Sequence, residues 1–257
     1  MSERTETYDI AEPATIALHL PSGDIRFKKG AAGAVVLRFD GSAKALDDLQ
    51  VDTTSDSVTV RTNTEKKRRW LGGSVDVVAT IPEGSNIVVR LGAGDVYASL
   101  PVGDTEIHVG SGDVRTDVID GTAEVKVGSG DIRLGSVAGV ARISSASGDV
   151  RVDAATEVTV NTAAGDLYLG AVTDIARVKS ATGDIRIGKH SGSDLAIKTM
   201  SGDVQVGLVP GLTVNASVKT LSGEFRNRTK KSTAERVGTT KLTITSFSGD
   251  VTLTTAR

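Results

Sequence analysis

The 257 residues carry 39% hydrophobic and 24% charged side chains, a formal charge of −2 and no cysteine. This balance excludes wholesale disorder, a disulfide framework and a thiolate metal site, and it argues against a generic polyanion binder. Aromatics make up only 3%, so the core must be thin and aliphatic, which suits flattened coils better than a globular interior.

The N-terminal stretch MSERTETYDIAEPATIALHL is charged and polar, without the apolar segment of a secretory signal. No run in the chain approaches the roughly 18 apolar residues of a membrane span. The expected location is therefore cytoplasmic, peripheral at the membrane. Residues 18–27 read as strand, turn, strand around Ser22-Gly23-Asp24. Gly23 and Gly94 are 71 residues apart, close to four periods of 18, so residues 1–90 are expected to be irregular N-terminal coils. Blurred turns are read at Asp40-Gly41-Ser42 and Ser55-Asp56-Ser57, while Val58-Thr59-Val60 and Val75-Asp76-Val77 keep the alternation of strands. Lys66, Lys67, Arg68 and Arg69, followed by Trp70, interrupt this section as a loop. Cations beside an interfacial aromatic form a candidate contact for anionic lipid head groups or a partner.

From Leu91 onward a glycine-aspartate pair keeps returning: Gly94-Asp95, Gly112-Asp113, Gly130-Asp131, Gly148-Asp149, Gly165-Asp166, Gly183-Asp184 and Gly202-Asp203. A variant follows at Gly223-Glu224, and a last copy at Gly249-Asp250. Successive glycines are 18, 18, 18, 17, 18, 19, 21 and 26 residues apart. So narrow a period over so many copies marks a solenoid, each repeat one supersecondary unit stacked on the last.

Alignment on the glycine gives each position a job. Five residues before it stand Val89, Ile107, Val125, Ile143, Val160, Val178, Ile197, Val218 and Ile244. Two residues after it stand Val96, Val114, Ile132, Val150, Leu167, Ile185, Val204, Phe225 and Val251. Alternation around these anchors has the strand period of two. The predicted fold is all-β: a β-helix-like β-solenoid with about 18-residue coils and two short strands per coil, a single domain over residues 1–257. Ser145, Thr162, Ser180, Thr199, Thr220 and Ser246 are the small residues where the two sheets converge.

In each turn glycine supplies positive φ, and aspartate accepts hydrogen bonds from nearby backbone amides. Arg26, Arg115, Arg133, Arg151 and Arg186 stand two residues after their aspartates and are expected to balance them. The pairs are thus structural turns and not ligands. After Gly202 the period decays, and Arg226, Arg228, Lys230 and Lys231 form a basic insertion, a second candidate contact for membrane or partner. The final strands, around Leu242 and Val251, are expected to leave an open sheet edge at the terminal coil.

No catalytic residue, metal ligand or cofactor is assigned. The turns lack a Walker pattern and a G-x-G-x-x-G, and they join strand to strand with no helix to hold a phosphate. A calcium roll uses a nonapeptide with a denser aspartate pattern. His19, His108 and His190 are scattered. Arg90, His108, Lys126, Lys179, Lys198 and Lys219 form an outward column that serves solubility more often than binding. Nucleic acid is not expected as a partner, because stacking aromatics are missing.

Taken together, the Ser22-Gly23-Asp24 turn, the approach Ile81-Pro82-Glu83-Gly84, and the turns Ser111-Gly112-Asp113, Ser129-Gly130-Asp131, Ser147-Gly148-Asp149 and Ser201-Gly202-Asp203 resemble the bacterial DUF4097 family of adhesin-like toastrack domains. The likeness runs from about Tyr8 to Leu253. It implies a right-handed β-solenoid-like fold without known catalytic residues, in relatives associated with cell-envelope stress systems and often anchored or exported. The function expected is a non-catalytic scaffold or binding protein in envelope maintenance or stress response. Its partners would be a protein, a second copy met through exposed coil ends, or an anionic membrane surface. The alternatives are a carbohydrate-active β-helical enzyme and a calcium-stabilised surface adhesin.

Overall fold

The computed structural model describes residues 2–63, 73–230 and 238–256. The chain is nearly all-β and divides into two compact units, Met1–Gly130 and Asp131–Arg257.

In the first unit the strands are β1 (Ser2–Asp9), β2 (Thr15–Ser22), β3 (Ile25–Lys29), β4 (Ala34–Gly41), β5 (Leu49–Thr53), β6 (Ser57–Thr62), β7 (Val75–Ile81), β8 (Asn86–Ala93), β9 (Val96–Val102), β10 (Thr105–Ser111), β11 (Val114–Ile119) and β12 (Ala123–Ser129). They form two faces. One stacks β6, β2, β8, β10 and β12 in parallel, and the other stacks β7, β3, β9 and β11. The register is the sequence period itself: Ile107 lies beside Val89 on one side and Val125 on the other. Like residues thus form ladders, and the inward rows (Ile87, Val89, Leu91; Val96, Ala98, Leu100) are buried while their neighbours face out. Alternation at strand period is what separates core from solvent here.

Residues 34–62 do not form the blurred coils read from sequence. Strand β4 runs antiparallel between β1 and β7, and β5 pairs antiparallel with β6. Gly41-Ser42 is a helix start instead of a coil turn: Ser42 Oγ accepts a hydrogen bond from the Ala45 N–H at 3.2 Å and caps α1 (Ala43–Asp47). A Ser cap before Ala, Lys and Leu favours a helical turn over a strand reversal. The stacking order also departs from chain order, because β2 and β3 lie between β6/β7 and β8/β9.

The second unit contains β13 (Ile132–Ser147), β14 (Val150–Ala164), β15 (Leu167–Val172), β16 (Ile175–Thr182), β17 (Ile185–His190), β18 (Asp194–Ser201), β19 (Val204–Leu208), β20 (Leu212–Ser222), β21 (Phe225–Arg228), β22 (Gly238–Ser248) and β23 (Val251–Thr255). Strands β13 and β14 are long because each runs around a corner, with a register shift between Val137 and Val140 where it changes face. One face continues through β16, β18, β22 and β20, the other through β15, β17, β19, β23 and β21. The last coil in sequence is therefore not the last in space. Strands β22 and β23 slot between the coil of β18/β19 and that of β20/β21, which becomes the outermost. Ser145, Thr162, Ser180, Thr199 and Ser246 are buried near the turns, and four of them donate a hydroxyl to the carbonyl two residues on.

Candidate functional site

Every glycine of the recurring pair sits at positive φ, for example +133° at Gly94, +138° at Gly112, +133° at Gly130, +119° at Gly148, +121° at Gly165, +116° at Gly183 and +122° at Gly202. A Cβ on Gly165 would lie 2.2 Å from the Gly148 carbonyl oxygen, so stacking as well as backbone conformation demands glycine. The aspartates reach further than their own turns. Asp95 Oδ1 accepts the backbone N–H of Asp113 at 2.9 Å. In the second unit Asp131 accepts from Asp149, Asp149 from Asp166, Asp166 from Asp184, Asp184 from Asp203, and Asp203 from Asp250, all at 2.8–3.0 Å. Each carboxylate pins the next coil in register. In the first unit Asp76, which has no glycine before it, binds the Asp24 N–H at 2.9 Å and starts the ladder.

Arg26, Arg133 and Arg186 pair with Asp24, Asp131 and Asp184 at 3.0, 2.8 and 3.8 Å. Arg151 turns instead to Asp153 at 2.8 Å, with its guanidinium 4.4 Å from the centroid of the Tyr168 ring. The turns are thus fully occupied by structural work. Among the described residues no group of three or more His, Asp or Glu is arranged to hold a metal ion, and no helix is long and apolar enough to cross a membrane.

Of the basic residues singled out by sequence, Lys66, Lys67, Arg68, Arg69, Trp70 and Lys231 lie outside the described residues. Arg226 is held at the outermost turn by Glu224 at 2.6 Å and Asp250 at 2.8 Å. Arg228 and Lys230 have another setting. They border a cleft of about 710 Å³ on the outer side of the second unit, which Lys189 also lines. Tyr168 and Gly170 of β15, Gly188 of β17, Gln205 of β19, and Thr254 and Thr255 of β23 also line it. The column five residues after the turn glycine carries no side chain in three successive coils, at Gly170, Gly188 and Gly207, and the first two line the cleft; a Cβ on Gly170 would lie 2.3 Å from the Asp153 carbonyl oxygen. The Lys230 N–H donates to Thr255 Oγ1 at 2.7 Å, which fixes the segment that carries the cations. Among the described residues no Asp or Glu lines the cleft, and none of its three cations takes part in a salt bridge. The arrangement suits an anion held by long cationic side chains, with tyrosine and threonine hydroxyls as further donors.

Two features escaped the sequence reading. Lys189 and Tyr168 come to Arg228 and Lys230 only through stacking of coils, across as many as 62 residues (230 − 168). The other is an outward column two residues before each turn glycine. It reads Gly92, Gly110 and Gly128 in the first unit, and Ala146, Ala163 and Ala181 in the second. It then turns to Met200, Phe247 and Leu221, which are 64%, 60% and 73% exposed. Register sets these three side by side, and the switch from small to large residues was legible in the repeat alignment.

The sequence matches the family model described as Toastrack DUF4097 over residues 14–257. The chain belongs to the DUF4097 toastrack family. Solved structures similar to this toastrack chain include a "putative adhesin" of Bacteroides fragilis NCTC 9343, at 13% identity and TM-score 0.42, covering 98% of this chain and 97% of that one. A "putative lipid binding protein" of Parabacteroides distasonis ATCC 8503 is similar at 15% identity and TM-score 0.44, covering 96% of each chain. A "putative cell adhesion protein" of Clostridium sporogenes ATCC 15579 is similar at 10% identity and TM-score 0.26, covering 99% of this chain and 100% of that one. No curated protein matches the chain.

Proposed function

We propose that this toastrack protein is a non-catalytic scaffold and binding module of cell-envelope maintenance or stress response, working at the cytoplasmic face of the membrane. Its basic cleft takes the phosphate groups of an anionic membrane surface. The observation that carries this reading is the meeting of Lys189, Arg228 and Lys230 around one open cleft with no carboxylate among its described lining residues. The lining offers three cations, the Gln205 amide and tyrosine and threonine hydroxyls, a set of donors suited to holding an anion.

Each cation near an anionic bilayer contributes about 1 kcal/mol, so three are worth about 3 kcal/mol, or roughly a hundredfold in partition. The test is co-sedimentation of the full chain with phosphatidylglycerol-containing and with purely phosphatidylcholine vesicles. Preference for the anionic vesicles that falls steeply with salt, and falls on the order of a hundredfold in Lys189→Gln/Arg228→Gln/Lys230→Gln, supports the reading. Equal binding to both vesicles, or a triple variant that binds like the parent, overturns it. A second variant with Lys66, Lys67, Arg68 and Arg69 changed to Gln separates the contribution of that loop.

A further inference from the structure

The outermost coil of the second unit is unfinished in a way no inner coil is. Among the described residues β20 pairs on one side only, with β22, and β21 only with β23. No other described strand pairs with the outer edge of β20 along its 11 residues. The inward positions are unfinished too. Val218 occupies the place of Ile197 and Ile244, which are fully buried, yet it is only half-buried itself. Phe225, in the place of Val204 and Val251, is 46% exposed. An open edge is normally blunted by charge, proline or a covering element. The edge strand β1 of the first unit follows that rule, with Glu3, Arg4, Glu6 and Asp9 among its eight residues. Strand β20, LTVNASVKTLS, has neither proline nor acid and a single cation, Lys219.

We propose that this edge is the dimerisation surface of the protein, and that a second copy of the chain docks on it end to end about a two-fold axis. Strand β20 is self-complementary when paired antiparallel with its own copy about Ser217. Residues whose numbers sum to 434 then lie opposite one another (217 + 217): Ala216 meets Val218 of the second copy, Val214 meets Thr220, and Leu212 meets Ser222. Inward residues face inward residues, so the aliphatic core runs across the seam without a break in alternation. Lys219 lies opposite Asn215, and no like charges meet along β20. The arrangement is isologous and closed: the β20 edge of each copy is taken up by the other, so this edge cannot recruit a third copy. It goes beyond the lipid reading and does not depend on it.

Three measurements on the full chain test the proposal without added lipid. Analytical ultracentrifugation should give a dimer of twice the 26.5 kDa chain mass. Ser217 is exposed, so Ser217→Glu and Ser217→Lys should each leave the fold intact, checked by circular dichroism, and weaken the dimer severalfold by setting like charges on the axis. An equimolar mixture of the two variants should recover it. Because the chain has no cysteine, Ser217→Cys should oxidise to a cross-linked dimer, while Lys126→Cys on the outer face should not. A monomer at every concentration, open-ended polymers, or a dimer indifferent to the Ser217 variants overturns the proposal. These results are separable from vesicle binding, whose failure leaves them unchanged.

Discussion

Asp166 is the cleanest place to weigh the aspartate ladder, because among the described residues its carboxylate accepts one backbone hydrogen bond and forms no salt bridge. Its Oδ1 accepts the Asp184 N–H at 2.9 Å, and an aromatic residue, Tyr168, stands where other coils have arginine. A hydrogen bond to a charged acceptor is worth about 1.5–3 kcal/mol, and at this exposed turn about 1 kcal/mol is a suitable figure. Asp166→Ala removes it. Asp166→Asn keeps an oxygen acceptor and also relieves the repulsion of stacked carboxylates, about 1 kcal/mol at 4.8 Å in water, so it should cost close to nothing. Glu224 ends the ladder and accepts no backbone N–H among the described residues, only Arg226. Glu224→Ala should therefore also be nearly silent. Urea unfolding of the three variants, with hydrogen exchange at the Asp184 amide as local readout, gives the comparison. For a unit of this size about 1 kcal/mol corresponds to roughly 4 °C in Tm. If Asn costs as much as Ala, or Glu224→Ala as much as Asp166→Ala, the carboxylate does not hold neighbouring coils together and the argument fails.

Gly165→Ala should cost about 3 kcal/mol or more, since it adds both a Cβ clash with the Gly148 carbonyl and an unfavourable φ. Gly84→Ala, at φ +74° with nothing within 4 Å of its Cβ, should cost only about 1 kcal/mol, as thermal unfolding will show. His190 is fully buried, with Nε2 3.2 Å from Thr240 Oγ1, and desolvation pushes its pKa below the ordinary value, with Asp194 and Asp174 opposing. The unfolded chain then binds the proton more readily, so stability is full above the unfolded value of about 6.5 and falls as pH drops below it. His190→Gln should flatten that slope between pH 7 and pH 5 in urea titrations of the second unit.

The repeat was legible because strand alternation and turn chemistry recur at one period, so Val125 and Ile132 could be placed inward from the alignment alone. The partner of each aspartate was not, because a hydrogen bond to the next coil looks the same in sequence as one within the turn. The order of stacking was hidden for a related reason. Every Ser-Gly-Asp turn offers the same donors and acceptors, so nothing local says that β22 docks on β18 before β20 does. One residue did carry the signal: Glu224 replaces aspartate at the turn with no following amide to bind. Residues 34–62 misled because Asp40-Gly41-Ser42 has turn composition, while the cap and helix formers after Ser42 decide the local structure. The cleft joins Tyr168 to Lys230 across strands β15, β17, β19, β23 and β21, a neighbourhood set by that same hidden order.

The interleaving of β22 and β23 has a consequence for how the second unit assembles. A plain solenoid can grow like a zipper, each coil templated by the one synthesised just before it. Here the coil of residues 212–228 has no docking site until residues 238–255 have settled on the coil before it, as the bond from the Asp250 N–H to Asp203 across 47 residues requires. The C-terminal strands act as a keystone, placed last in the chain but needed before the coil that precedes them can close the stack.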